Sequence, residues 1–250
     1  MKIIVTALFS LLVIFVSAQE SSLLFKEADN LERQLKETEA LAKYKQILVN
    51  EPNNIKALVK ATELSCSTGE RLPIKNDKRL TFESAIAYAQ RAVNADSNSA
   101  DAYYALALAS GKMTEVETDN KKVVAYVRDI KVNADKALQI NPNHAMANFI
   151  EGRWHYEMIT LNWAKRLAVK ALFGGLPEAS LDSAIDYMER CRKLAPYFAL
   201  NYLMLAKAYK ENSRPTQEME VLGKLVKLPI RTPDDAALKA EGQKMLESME

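Results

Sequence analysis

The chain has 250 residues, of which 48% are hydrophobic and 26% charged, a composition that indicates a folded protein and excludes a disordered one. The 34 lysines and arginines nearly balance the 32 aspartates and glutamates, which leaves a net charge of +2. Nucleic-acid binding draws on a concentrated basic face, so we expect no nucleic-acid partner. Only 7 glycines and 8 prolines punctuate the sequence, which favours long helices.

Residues 1–18 have the organisation of a secretory signal peptide. Lys2 precedes an apolar run over residues 3–16, and Val16-Ser17-Ala18 fits cleavage after Ala18. The run is shorter than the roughly 20 residues that cross a bilayer. We therefore predict a signal peptide over residues 1–18 and a mature domain over residues 19–250, periplasmic or secreted. An uncleaved N-terminal membrane anchor is the alternative.

The mature domain repeats one helical pattern, and residues 202–209 are its clearest copy. They read Tyr202-x-x-Leu205-Ala206-x-x-Tyr209, just after Pro196, with all four residues on one helical stripe. The small residue lets a second helix approach, and the large residues fill the grooves beside it. This pattern is typical of the first helix, helix A, of a tetratricopeptide (TPR) repeat.

Weaker copies precede this unit, each with a helix A and a second helix, helix B. The predicted inward positions are Leu24, Ala28, Leu31, Ala40, Tyr44 and Ile47 in unit 1; Leu58, Ala61, Leu64, Ala85, Ala89 and Ala92 in unit 2; Tyr103, Leu106, Ala107, Ile130, Ala134 and Ala137 in unit 3; and Phe149, Gly152, Ala184, Met188 and Cys191 in unit 4. Helix-stopping motifs at Pro52, Ser97, Pro142 and Pro196 close these units.

The end of the chain completes the fifth unit and adds a cap. Helix B of unit 5 is predicted over residues 216–228. A last helix is predicted from Thr232-Pro233-Asp234-Asp235, which offers an N-cap, a first-turn proline and two acids at the positive end of the helix dipole. The sequence therefore predicts an all-α, TPR-like α-solenoid of about five helix pairs plus a C-terminal capping helix.

The units are longer than the standard repeat. The closing positions lie 45, 45 and 54 residues apart, against about 34 in a TPR. We place the excess as inserts between helices A and B, at roughly residues 67–81, 111–120 and part of 161–180, all on one edge of the stack. Such inserts are either functional or tolerated surface loops.

Residues 161–173 have an amphipathic pattern that ends at Phe173-Gly174-Gly175-Leu176-Pro177. The apolar stripe packs across its own repeat or, alternatively, binds a membrane surface or a partner. The apolar positions are Leu161, Ala164, Leu167, Ala168, Ala171 and Leu172, opposite Arg166 and Lys170.

A more specific signature covers the second half of the chain, about residues 141–249. It consists of Gly152-Arg153-Trp154-x-Tyr156, Trp163, Lys170-Ala171-Leu172-Phe173-Gly174, Pro177 and Asn201-Tyr202-x-x-Leu205-Ala206-Lys207-x-Tyr209. It resembles the regulator of microtubule dynamics family. The resemblance implies a TPR-like helical domain without catalytic residues, with links to microtubules, mitochondria and organelle contacts, and lipid transfer in one branch. An exported chain would not meet microtubules.

The sequence contains no recognisable catalytic, cofactor or metal motif. His144 and His155 lack a histidine, cysteine or paired carboxylate at ligand spacing. Cys66 and Cys191 fall in units that should not touch, beyond the ~7 Å Cα separation of a disulfide, so we expect buried thiols. We predict a non-enzymatic protein without a cofactor or a metal. An envelope enzyme with an unrecognised site is a third possibility.

The concave groove of the solenoid remains as the candidate site. Helix A positions one turn off the packing stripe are Val59, Glu63, Tyr104, Leu108, Phe149, Arg153, Tyr156, Leu203, Lys207 and Lys210. We predict that Tyr104, Phe149, Arg153, Tyr156, Leu203, Lys207 and Lys210 bind a partner, with Arg153 and Lys207 holding an anion. Alternatively, these positions pack against the inserts or the capping helix.

The predicted function is an exported scaffold that binds protein or peptide segments in this groove. The alternative is a lipid-binding, lipid-transfer or membrane-contact protein that uses residues 161–173.

Overall fold

The computed structural model describes residues 20–162, 169–171 and 178–249. Its helices are α1 (20–33), α2 (Glu37–Asn50), α3 (Ile55–Glu70), α4 (Lys75–Ala95), α5 (Ala100–Val116), α6 (Asn120–Ile140), α7 (Ala145–Thr160), α8 (Leu181–Leu194), α9 (Ala199–Glu211), α10 (Pro215–Leu225) and α11 (Asp235–Glu247). No β-strand occurs in these described ranges. Consecutive helices pair from α2–α3 to α9–α10, and α11 packs on the last pair. Helix α1 packs on α2 through Phe25 and Tyr44. The prediction of an all-α, TPR-like solenoid is confirmed.

Three units open with the same capped turn. Asn54, Ser99 and His144 each accept a hydrogen bond from the backbone N–H three residues later, at 3.0, 3.2 and 3.0 Å. Because the Nδ1 atom of His144 accepts, its Nε2 atom carries the proton and donates to Asp101 at 2.9 Å. His144 is therefore a helix cap, which satisfies one of the N–H groups that a helix start leaves open.

Small residues bring the paired helices together, as the repeat pattern predicted. Ala61, Ala89 and Ala206 are fully buried. A Cβ atom on Gly152 would lie 2.9 Å from the carbonyl oxygen of Ala184, so glycine is what allows α7 to approach α8 this closely. Large residues such as Leu205 fill the remaining space.

The extra residues of units 2 and 3 lengthen the helices and do not form loops. Helices α3, α4, α5 and α6 have 16, 21, 17 and 21 residues, whereas α9 and α10 have 13 and 11. Units 1 and 5 keep a tight turn between helices A and B, with Leu35 and Ser213 at φ of 62° and 54°. In both turns a backbone N–H bonds the carbonyl five residues back, which closes the first helix.

The two C-terminal helices have different bounds from those predicted. Helix α10 ends at Leu225 and not at residue 228. Helix α11 begins at Asp235 and not at Thr232, because the Asp235 carboxylate accepts from the backbone N–H groups of Arg231 and Thr232 at 2.7 and 3.0 Å. The Thr232 hydroxyl donates to the same carboxylate at 2.6 Å.

Several predicted features lie outside the described residues. They are the signal peptide at 1–18, Trp163 and most of the amphipathic segment at 161–173. Within that segment, Val169 is buried, whereas Lys170 and Ala171 are exposed. Among the helices that the structure describes, none has the length and apolarity of a bilayer-spanning segment.

Candidate functional site

A cavity of about 340 Å³ opens on the concave face of the solenoid. Its lining comes from the A helices α3, α5 and α7, from the start of α9, and from the segment that leads into α11 with the first turn of that helix. Unit 1 adds two acids, Glu32 and Glu37. This volume falls in the range of about 300–1,000 Å³ that is usual for ligand pockets. The sequence places a binding surface here because helix A of every unit faces the same side of the stack.

The floor of this concave cavity is apolar and rigid. Phe149 meets Phe198 edge to face, with ring centroids 4.9 Å apart, and Tyr104 lies 5.0 Å from the His144 ring. Tyr104 and Phe149 are each only 3% exposed, so the floor is the outer surface of the packed core. Leu108 and Leu200 complete it. Such a surface suits an apolar side chain of a ligand.

Charged groups surround the floor, and each cation already has carboxylate partners. The Lys112 ammonium lies 2.6 Å from Glu70 and 3.0 Å from Glu115. The Arg153 guanidinium lies 2.6 Å from Glu157, one turn along α7. These cations are therefore neutralised by the chain itself.

Two further cations, Lys60 and Arg71, lie beside the cavity, and each is shared between two acids. Lys60 lies 3.0 Å from Glu32 and 3.2 Å from Glu63. Burial acts to lower the pKa of Lys60, but Glu63 and Glu32 together raise it above its usual value. Lys60 thus stays charged and holds both carboxylates at the rim.

Arg71 links the two ends of the solenoid across the cavity. Its guanidinium bonds Glu37 at the start of α2 and lies 2.7 Å from Asp234, just before α11. Arg71 and Asp234 are 163 positions apart in the sequence. This ion pair joins the segment before α11, which forms one wall of the cavity, to the first two units.

The structure brings together only part of the predicted site. Tyr104, Phe149 and Arg153 line the cavity, as do Glu63 and Leu108 from the wider set. Val59 is buried at 8% exposure. That the predicted residues bind a partner stays a prediction.

The remaining predicted residues lie away from the cavity. Leu203 is 2% exposed within the core of unit 5, and Tyr156 packs against the same core. The Lys207 ammonium lies 2.7 Å from Glu241 of α11, and Lys210 is exposed at the end of α9. Arg153 and Lys207, the proposed anion contacts, thus both have intramolecular carboxylate partners.

Sequence reasoning missed Lys112, Glu70, Phe198 and Asp234, which also line the cavity. Lys112 and Glu70 fall in or beside regions that were predicted as inserts. Because α3 and α5 continue as helices there, both side chains stay on the groove side. Phe198 was given no role, and its aromatic character close to Pro196 was the available signal.

A second ionisable cluster lies between α6 and α7, outside the cavity. Glu151 is fully buried, 3.2 Å from the Lys131 ammonium, which also contacts Asp135 at 2.6 Å. Burial raises the pKa of Glu151 to about 8, against the opposing effect of Lys131. The Glu151 Oε2 atom has no hydrogen-bond partner among the described residues. This arrangement fits a carboxyl group with a structural role that is mostly protonated, and therefore uncharged, at neutral pH.

Neither the cysteines nor the acidic residues form a reactive or metal-binding centre in the described part of the chain. Cys66 and Cys191 are free, buried thiols. Burial raises the pKa of Cys191 to about 12, which disfavours a reactive thiolate. The described residues contain no group of three or more histidine, cysteine or acidic side chains placed to hold a metal ion.

Helix pairs stacked with a common concave face, an apolar cavity on that face and a capping helix define a TPR-like repeat protein. A thermophilic TPR protein from Thermus thermophilus has the same fold, with a TM-score of 0.62, 16% identity, and coverage of 91% of this chain and 99% of that chain.

The family described as regulator of microtubule dynamics protein 1-3 matches residues 24–250, and the chain belongs to this family. Regulator of microtubule dynamics protein 1 of Bos taurus is 26% identical over 174 residues, which is 69% of this chain and 54% of the relative. Regulator of microtubule dynamics protein 2 of Macaca fascicularis is 26% identical over 188 residues, 75% of this chain and 44% of the relative. The chain thus spans about half the length of the curated relatives it matches.

Proposed function

We propose that this protein is an exported, non-enzymatic scaffold that binds an extended protein segment in its concave cavity. The observation that carries the proposal is the cavity itself, whose floor of Leu108, Phe198 and Leu200, packed over the buried Tyr104 and Phe149, presents apolar surface at the place where the A helices converge. Large side chains that become buried on binding supply much of the affinity in protein recognition. Export rests on the composition of residues 1–18.

A cavity-filling substitution tests the binding site. Leu200 is partly buried and lines the cavity, so Leu200→Trp should occupy it and weaken a bound peptide by at least about tenfold, the equivalent of 1.4 kcal/mol. Met219→Trp is the matched control, since Met219 is 46% exposed on α10 and does not line the cavity. Binding is measured by calorimetry with peptides selected from a random library on the mature chain.

Two results would remove this proposal. One is that selected peptides bind the Leu200→Trp variant as tightly as the parent. The other is that the purified chain carries a stoichiometric lipid, detected by extraction and mass spectrometry, which Leu200→Trp displaces. Export is tested separately by fractionation, which should place the protein in the envelope or the medium; recovery from the cytoplasm would contradict it. The N-terminus of the exported chain should be Gln19, and a chain that still begins at residue 1 would favour the uncleaved anchor.

A further inference from the structure

We infer that the segment bound in the cavity carries a lysine or arginine beside a large apolar side chain. The inference rests on the proposed function and specifies its ligand. It reverses the prediction, made from the positions of Arg153 and Lys207, that the groove holds a carboxylate. Both the charge balance around the cavity and the chemistry of its floor support it.

Carboxylates outnumber cations around the cavity. Three of the cations are each shared between two acids: Lys60 by Glu32 and Glu63, Arg71 by Glu37 and Asp234, and Lys112 by Glu70 and Glu115. Arg153 is paired with Glu157. The Asp235 carboxylate adds a further negative charge, held by backbone N–H groups and a hydroxyl.

These cations are therefore poorly placed to receive an anion. A ligand carboxylate at Lys112 or Arg153 would have to share a cation that already lies within 2.6 Å of an acid of the chain. It would also enter a site where the surplus charge is negative. Like charges that meet in a partly desolvated site repel strongly, because the local dielectric is lower than that of water.

A cationic group of the ligand would instead meet carboxylates that can still accept hydrogen bonds. The Glu70 side chain is 51% exposed and binds Lys112 through Oε2. An ionised carboxylate accepts about four hydrogen bonds, so Glu70 can accept from an incoming ammonium or guanidinium without releasing Lys112. Glu63, with a side chain 26% exposed, offers a second acceptor on the same helix.

The floor specifies the rest of the ligand. Phe149, Phe198 and Leu200 present apolar surface beside these acids, and an aromatic or branched aliphatic side chain buries such surface at roughly 25 cal/mol per Å². The alkyl stem of a lysine or arginine covers apolar surface while its charged end stays at the rim. A basic residue adjacent to a large apolar residue therefore matches both parts of the cavity.

Two matched peptide libraries test the inference, one with Lys-Phe and one with Glu-Phe fixed at the centre of otherwise random hexapeptides. We expect the best Lys-Phe binders to bind the mature chain at least about tenfold more tightly than the best Glu-Phe binders at low salt. We also expect this preference to shrink as ionic strength rises.

Charge variants of the protein sharpen the test. Glu70→Gln should weaken the Lys-Phe peptides about threefold to tenfold, and Glu70→Lys should move the preference towards Glu-Phe. Glu178→Gln, an exposed residue outside the cavity, is the control and should change neither.

The outcomes separate the inference from the proposed function. Glu-Phe peptides that bind as tightly as Lys-Phe peptides, with both lost in Leu200→Trp, overturn the charge inference and leave peptide binding in place. Failure of both libraries to bind overturns the inference and the proposed function together. If Leu200→Trp abolishes binding but neither Glu70 variant changes it, the lysine or arginine of the ligand does not bind at Glu70, and the inference is overturned.

Discussion

The concave face of this solenoid has two regions that treat equivalent repeat positions differently. Phe149 in unit 4 and Leu203 in unit 5 are 54 residues apart and occupy the same place in their repeats, as do Arg153 and Lys207. In unit 4 Phe149 and Arg153 line the concave cavity, whereas in unit 5 Leu203 packs in a core that includes Leu238 of α11, and Lys207 is paired with Glu241 of α11. Equivalent repeat positions thus face the cavity or pack beneath the capping helix, depending on whether α11 covers them.

The covering helix also shapes the cavity that it leaves open. The segment that leads into α11 forms one wall through Thr232, Asp234 and Asp235, and Leu238 follows in the first turn. A repeat array without this cap would leave an open trough with apolar surface at its end. Here the cap closes one side of that trough, and the lining of the cavity runs from two acids of unit 1, Glu32 and Glu37, to Phe198 and Leu200 at the start of unit 5.

The largest effect is expected from a substitution that displaces the capping helix α11 from unit 5. A Cβ atom on Gly242 would lie 2.5 Å from Leu225 Cδ2, so a side chain at this position requires either the buried Leu225 side chain or α11 itself to shift. We expect Gly242→Val to lower the free energy of unfolding by up to about 3 kcal/mol, the usual range for overpacking a tight contact. It should also speed hydrogen exchange around Leu203. Chemical denaturation and exchange mass spectrometry measure the two effects.

Gly223 on α10 is the matched control for this substitution. A Cβ atom there meets nothing within 4 Å, so Gly223→Ala should be neutral or stabilising by up to about 1 kcal/mol, as expected for helix propensity. If Gly242→Val leaves stability and exchange at the level of Gly223→Ala, the tight contact between α11 and α10 does not hold the cap.

Units 4 and 5 also differ at Glu151 and Leu205, which occupy the same place in their repeats and are both fully buried. Because burial raises the folded-state pKa of Glu151 to about 8, the folded protein binds a proton there that the unfolded chain releases above about pH 4.5. Stability should therefore fall as the pH rises towards 8. Between pH 6.5 and 8 the loss is about 2 kcal/mol. Glu151→Gln should remove this slope, as measured by denaturation at several pH values.

His155 also titrates near this cluster, since burial and then Lys131 lower its pKa. It is present in both proteins, so the difference between parent and Glu151→Gln isolates Glu151. Glu157→Gln, which removes a partly exposed carboxylate from the same helix, is the control and should keep the parental slope. Equal slopes in parent and Glu151→Gln would show that Glu151 is ionised when folded.

The helices were predictable from sequence because their signal is local. Ala206, Leu205 and Tyr209 lie within two turns of one helix, and their spacing alone fixes which face is buried. The same holds for the capped turns at Asn54 and Ser99, where side chain and backbone are three residues apart.

The cavity was only partly predictable because its character depends on distant pairings. Repeat position correctly brought Tyr104 and Phe149 to the groove, but it could not show that Lys207 meets Glu241. Lys112 reaches the cavity only because α5 continues past Gly111 as a helix, where an insert was expected. The net charge of the rim therefore followed from tertiary contacts and not from the pattern of any one helix.

The smallest expected effect concerns the link between the two regions, the ion pair of Arg71 with Asp234. Both side chains are partly exposed, at 33% and 44%, so Asp234→Asn, which leaves the bond between Arg71 and Glu37 in place, should cost less than about 1 kcal/mol of stability. The segment before α11, which forms one wall of the cavity, should nevertheless be held less firmly, with faster hydrogen exchange over residues 231–238. High salt should produce the same change in the parent, because salt screens exposed charges.

Glu27→Gln is a close control, since the Lys43–Glu27 pair has similar exposure, 33% and 42%, but lies within unit 1. It should match Asp234→Asn in stability and leave exchange at residues 231–238 unchanged. If both variants exchange alike there, apolar contacts with α9 and α10 hold the wall by themselves. In that case the cavity keeps its shape when the two ends of the solenoid are not joined, and the first two units contribute to the site through the side chains they place along its lining and not through the link to the cap.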